Sequence, residues 1–546
     1  MAAAMKSIFD RHQKLLFCVA CVVTVIVGGI YYFYIQHSFV PNAEDLATTQ
    51  QWYLVLKHVQ SYRHSNIVFD VISCLSVLIG GMSYFSIRLE FTLFYVMVLG
   101  LGLYLSASGK KGRKPWFLLP LWAFFMILIH TVQADSNFTT VYDDTDLIRM
   151  FPYNYHIIPL IFALISLAVL QCWLNTNEGK KKNIIIGIEV IVVIYASLFT
   201  DLIYYIIFLL PMLIVLALRG LYNDKARKYM MPLLALGVGL MLLTRILPVS
   251  FFQKLWDNTT LGTSYGAIYG GTDWLNLDNL ILHITNYIKA IMLLFNIDLS
   301  SRPLISFYSV LFVVRIAFVV IGYVIVAKVI ACSVKGKAKQ NGFHTIDEIL
   351  AWGFVILSCS FIFTRNALYR DLIRYYTAFV PILTILLCRY VGDFLMKAMP
   401  VLETMKQKKI YFAGMIGALC ICQVEPVWNY RVEASYREDC EAAIEYLRQW
   451  GAETSGYAVA PYWLYARLSA MTDGEILFYD NAETIKRLYG EDAVIRFMVV
   501  GWDDRGLLTY GLNNIAYSSY AEMCENYKSP IRAVELDYIY VCEFGE

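Results

Sequence analysis

From about Leu15 to Val424 the chain runs through one apolar stretch after another, and after Val424 that pattern stops. A helix needs roughly 20 apolar residues to cross roughly 30 Å of hydrocarbon. Stretches of that length, repeated along most of a chain, predict a multi-pass α-helical membrane protein. The tail predicts something different: a separate α/β domain in water. We therefore read 1–424 as a transmembrane domain with outer-face loops 37–87, 134–155, 248–303 and 364–372, and 425–546 as an extracytoplasmic α/β domain.

Composition supports the division. Only 16% of the 546 residues are charged, against about 25% in an average soluble protein, and the deficit lies in the first part. A net charge of +2 gives no electrostatic reason to bind nucleic acid. The 40 tyrosines, with 32 phenylalanines and 11 tryptophans, suit the interfacial belts of a membrane protein and the walls of sites that stack sugars. Most cysteines lie inside apolar runs (Cys18, Cys21, Cys74, Cys172, Cys359, Cys388, Cys420) and read as small buried hydrophobes. Cys440, Cys524 and Cys542 lie in the tail, where one disulfide is possible. Lys6, Arg11 and Lys14 precede the first apolar run without a small-residue cleavage site after it, so that span is expected to be retained.

Lys and Arg in short loops mark the cytoplasmic side. They cluster at the N-terminus, Lys110 to Lys114, Lys180 to Lys182, Arg219 to Lys228, Lys335 to Lys339 and Lys397 to Lys409. Acidic or aromatic polar loops alternate with them. The alternation puts the N-terminus in the cytoplasm and the tail outside. Parity fails at 67–87 and 278–298 unless both are juxtamembrane or re-entrant helices. The count is about 11 spans, or about 13 if both cross.

In the tail, Arg437 to Gln449 has the apolar spacing of an amphipathic helix, and Pro461 to Met471 suggests another, stopped at Asp473-Gly474. Gly456 to Val459, Glu475 to Tyr479, Ala493 to Val500 and Tyr538 to Cys542 are β-rich. The tail carries no nucleophile, metal or phosphate-loop motif, so it reads as a docking or scaffolding lobe.

The outer loops hold the candidate chemistry. Glu44 and Asp45 lie just beyond the first span. A carboxylate there can act as general base on a sugar hydroxyl or bind a divalent cation such as Mg or Mn; the alternative is that it favours the positive end of a helix over Leu46 to Val59. Asp144, Asp146, Arg149 and His156 follow in the second loop, where Arg149 offers a fork to phosphate and the acids can alternatively be a solvated face. Asp201 occupies a hairpin tip, as a membrane-depth ionisable site or simply in reach of water. Arg370, Arg374 and Tyr375 belong to a loop whose arginines oppose the positive-inside tendency. They need a partner, either a lipid-linked phosphate or acids of other outer loops. The Gly- and aromatic-rich stretch Trp256 to Leu277 fits a flexible cover or an interfacial anchor.

Four local strings carry a resemblance to a known family: Asp146-Leu-Ile-Arg-Met-Phe-Pro-Tyr-Asn-Tyr-His156, Ser197-Leu-Phe-Thr-Asp201, Arg374-Tyr-Tyr-Thr-Ala-Phe-Val-Pro381, and Trp450 to Trp463 with Thr472-Asp-Gly474. With the overall layout, they resemble the GT-C superfamily of membrane glycosyltransferases, in its bacterial branch distantly related to protein O-mannosyltransferases. The resemblance implies a polyprenyl-phosphate-linked sugar as donor and a cell-envelope glycan, lipid or protein as acceptor. It also implies a site at the outer leaflet of a bacterial plasma membrane, juxtamembrane helices in the first loop, and Asp45 or Glu44 as the catalytic acid, with Asp45 preferred. Two features depart from that family: the acidic pair lacks its usual flanking pattern, and Thr200-Asp201 replaces a more glycine-rich turn. An O-antigen-type polysaccharide polymerase or ligase, and a non-catalytic transporter or scaffold, are the alternatives.

Overall fold

A computed structural model describes residues 2–35, 43–59, 67–108, 122, 157–199, 203–222, 235, 237–239, 279–295, 297, 307–364, 376–398, 434–461, 464–502, 508–510, 515–517, 522, 530–537 and 539–545. The helices of the first part are α1 (Ala2–Ile35), α2 (Ala43–Leu56), α3 (Ile67–Gly80), α4 (Tyr84–Ala107), α5 (Ile157–Asn175) and α6 (Gly179–Phe199). A wide π turn, Tyr205–Leu209, leads into α7 (Leu210–Tyr222); then come α8 (Leu280–Leu294), α9 (Phe307–Val334), α10 (Thr345–Ile362) and α11 (Phe379–Ala398). The tail continues with α12 (Ala434–Gln449), α13 (Ala452–Ser455), β1 (Tyr457–Val459), α14 (Tyr465–Met471), β2 (Leu477–Tyr479) and α15 (Ala482–Tyr489). It closes with β3 (Phe497–Trp502), β4 (Leu508–Tyr510), β5 (Ile515–Tyr517), β6 (Arg532–Glu535) and β7 (Ile539–Glu543).

Among the described residues, four helices are long and apolar enough to cross a membrane: Tyr84–Ala107, Ile157–Asn175, Phe312–Val334 and Thr345–Ile362. This is the composition of a helical membrane protein with a small C-terminal sheet. The spans expected near 115–133, 229–247 and 410–424 fall almost wholly outside the described residues. The two segments that break parity form short helices, α3 of 14 residues and α8 of 15. At 1.5 Å per residue each is about 21–23 Å long, short of the roughly 30 Å hydrocarbon core.

The chain divides into two compact units: Met1–Ile35, Phe94–Asn137 and His156–Asn429 in one, Gln36–Leu93, Phe138–Tyr155 and Tyr430–Glu546 in the other. The division falls inside α4.

In the first unit, α9, α10 and α11 pack on one another, and α10 also packs on α7 and the π turn. Gly353 permits the last contact, because a Cβ there would lie 2.7 Å from the carbonyl oxygen of Ile207. Two adjacent acids at the start of α10 tie the bundle together. Asp347 caps its own helix by accepting from the backbone N–H of His344 at 2.7 Å. It also accepts from Arg389 Nε and the Tyr390 hydroxyl on α11, while Arg389 Nη1 donates to the carbonyl of Leu105 on α4. Glu348 accepts from Arg219 on α7 and from Ser333 on α9, the latter at 2.8 Å. Asp347 and Arg389 are 0% and 1% exposed, so each charge depends on the other. The helix ends meeting here adjoin the basic segments of the sequence.

In the second unit, β1 pairs in parallel with β2 and β3, and α14 makes the β1–β2 crossover. β3 runs antiparallel to β7 and, through Gly501 and Trp502, to β4. β4 pairs with β5, and β6 with β7, both antiparallel. The expected helix over Arg437 to Gln449 is α12; the first two β-rich runs contain β1 and β2, and the last two overlap β3 and β7, which run on to Trp502 and Glu543. Cys440 and Cys542 are buried and in no disulfide; Cys524 lies outside the described residues. Burial pushes the Cys440 thiol up to about 11. The core of the sheet includes Val459, Leu477, Met498 and Val500, and also Leu54 of α2.

Candidate functional site

The helix that follows the first span is built into the C-terminal sheet. Gln50 Nε2 on α2 donates to the carbonyl of Phe478 on β2 at 2.7 Å, across 428 residues of chain. Leu54, one turn on, enters the core described above. A third attachment is the turn after α14. Asp473 and Gly474 both have positive φ, 51° and 78°, and a Cβ on Gly474 would lie 2.9 Å from the Tyr53 hydroxyl and 3.1 Å from Met82. Glycine thus serves both the left-handed backbone and the close approach of α2.

On α3 and α4 a pocket of buried polar groups receives α2. Glu90 is fully buried; its two oxygens accept from the hydroxyls of Thr49 and Ser73, each at 2.8 Å. The indole N–H of Trp52 donates to Asp70, also buried, at 3.3 Å. α2 presents Thr49 and Trp52 to two different acids, a spacing of three residues that keeps them on one side of a helix. These contacts orient α2 by hydrogen bonds on one face and by apolar packing on another.

Asp45 and Glu44 lie in the first turn of this same helix, one turn before Thr49. Carboxylates are favoured there by the helix dipole. Asp144, Asp146, Arg149, His156, Asp201, Arg370, Arg374 and Tyr375 lie outside the described residues, so α2 alone carries the described part of the expected site.

Beside Tyr53 of α2 lies an aromatic wall. The Tyr479 and Tyr489 hydroxyls are 2.8 Å apart, and Tyr457 stacks on Tyr489 at 5.0 Å between ring centroids. Burial, then the hydrogen bond to Tyr489, raises the Tyr479 hydroxyl well above its ordinary range. Burial also raises the carboxyl of Asp480, opposed by backbone N–H groups, Thr484 and Arg487.

No group of three or more His, Cys, Asp or Glu among the described residues could hold a metal ion. Glu90 accepts from two hydroxyls and Asp70 from an indole N–H.

Glu90, Asp347, Glu348 and Glu189 were not singled out from sequence. The available signal was a lone acid inside an apolar run, as at Glu90 and Glu189, but the donors that give Glu90 its role lie 17 and 41 residues away.

No family model matches the chain, and no curated protein matches it.

Proposed function

We propose that the protein is a membrane glycosyltransferase of GT-C type, with about 11–13 spans and the C-terminal domain outside the cytoplasm. It moves a sugar from a polyprenyl-phosphate donor to a cell-envelope glycan, lipid or protein. The observation that carries this reading is α2: the helix with Asp45 and Glu44 in its first turn shares a core with the C-terminal α/β domain. A base must be held still against its acceptor, and α2 is fixed by Gln50, Thr49, Trp52 and Leu54.

In this mechanism Asp45 takes the proton of the acceptor hydroxyl. The oxygen attacks the anomeric carbon, the bond from that carbon to the phosphate oxygen breaks, and the anomeric configuration inverts. Arg370 and Arg374, with Arg149, stabilise the departing polyprenyl phosphate. Asp144, Asp146, His156, Asp201 and Tyr375 bind the sugar, and the tyrosines beside α2 offer stacking surface to the acceptor.

The test is the envelope glycan of cells carrying Asp45→Asn. Loss of the transferred sugar at normal protein level is expected; unchanged transfer rejects Asp45 as the base. A transporter is the second reading, favoured by the buried carboxyl of Glu189 within the apolar helix α6.

A further inference from the structure

Glu189 lies near the middle of the 21-residue α6, in a run from Asn183 to Phe199 with no other charged residue. It is 7% exposed, and neither carboxyl oxygen has a hydrogen-bond partner among the described residues. One face of α6, with Ile184, Ile188 and Ile191, is exposed, as a lipid-facing surface would be. The opposite stripe of Glu189, Val193, Ala196 and Ser197 is buried, and α5 packs against α6.

Among the described residues, the hydroxyl of Tyr204 lies within electrostatic reach of Glu189 and is 3.0 Å from Ser166 on α5. Tyr205 donates to the carbonyl of Ser197 at 2.9 Å, and the Ser197 hydroxyl is itself unpartnered. No charged group among the described residues acts on Glu189. Tyr204 leads into the π turn, the kind of irregularity frequent at functional positions.

Three states are open to such a carboxyl. Ionised and alone, it would lack both water and a counter-charge, at a cost no fold of ordinary stability can carry. A bound metal cation needs several oxygen ligands and the space they enclose, and among the described residues no second carboxylate acts on Glu189. A proton needs neither room nor ligands. We infer that Glu189 is a buried proton-binding site within the apolar helix α6, holding its proton near the Tyr204–Ser166 hydroxyl pair. None of these residues belongs to the proposed transfer site, so the inference and the glycosyltransferase reading fail separately.

A hydrophobic carbodiimide tests it on membranes containing the full chain. The carboxylic acid adds across one C=N bond: a C–O bond forms and the proton passes to nitrogen. An oxygen-to-nitrogen acyl shift then leaves a stable N-acylurea on Glu189, with no leaving group. Peptide mapping should find the adduct at Glu189 at neutral pH and miss it in Glu189→Gln. The rate should fall about tenfold per pH unit once the group ionises, and a water-soluble carbodiimide should leave Glu189 untouched.

The inference is overturned by an unlabelled Glu189 when other carboxyls in the same digest carry the reagent. Equal labelling by the water-soluble reagent, or protection by added Na+ at fixed pH, overturns it too. Glu189→Gln, which keeps the shape of the neutral acid, should unfold within about 2 °C of the unmodified protein. A fall as large as that of Glu189→Ala would mean an ionised group with a hidden partner.

Discussion

Glu90 and Glu189 are both buried carboxyls within long helices, and they are held in opposite ways. Glu90 on α4 is met by two hydroxyls, one from α2 and one from α3. Glu189 on α6 is met by none. The first is a joint: its donors fix three helices in register, and α2 carries Asp45. The second joins nothing, so it can only be tolerated as a neutral acid. A buried acid therefore has no single meaning; the donors around it decide whether it organises structure or holds a proton. Asp347 belongs with Glu90, answered by Arg389, Tyr390 and its own helix terminus.

The comparison can be broken at several points. If α2 is oriented for chemistry, Asp45→Asn should cost transfer about a hundred- to ten-thousand-fold, the usual weight of a general base, with folding intact by size-exclusion profile. Arg389→Ala leaves Asp347 buried without the cation that answers it. A loss of about 3–5 kcal/mol is expected, read as collapse of the folded fraction in detergent; a stable variant would show that the pair is not buried together.

Glu90→Ala removes the acceptor of two buried hydroxyls and should cost about 1–3 kcal/mol. Because the joint locates α2, it should also raise proteolysis around Ala43–Leu56, whereas Glu189→Gln should not. Gly474→Ala forces a side chain into a left-handed position against Tyr53 and should cost about 1–3 kcal/mol, measured by thermal unfolding.

The smallest effect concerns Asp480. Its folded-state carboxyl is raised above the usual 3.8 by burial, so the folded state holds the proton more tightly than the unfolded chain. That contribution is full at acid pH and is lost as pH rises from the ordinary aspartate range through the raised value. Between the ordinary aspartate range and the raised value, the unfolding midpoint should lose a component that falls with rising pH in Asp480→Asn; an unchanged pH dependence there overturns the assignment.

Much of the tail was legible in sequence because its elements follow local rules. The apolar spacing of Arg437 to Gln449 marks α12, and the runs around Tyr457, Leu477, Phe497 and Ile539 mark strands. β6, Arg-Ala-Val-Glu, is missed because it is mostly exposed and short; its pairing with β7 is what makes it a strand. The start of α2 was legible from Glu44 and Asp45, whereas its packing was not. Gln50 looks like any polar helix residue until Phe478 is beside it.

By itself, the sequence determined that most of the chain is apolar helix, that the tail is a small α/β fold, and which loops carry acids and arginines. These follow from hydropathy and periodicity, which act over a few turns of chain. Only the tertiary structure decided that α2 shares a core with the tail, that Glu90 is answered and Glu189 is not, and that Asp347 and Arg389 neutralise each other 42 residues apart. The energy of a buried polar group depends on the donors within about 3 Å of it, and chain distance does not supply them.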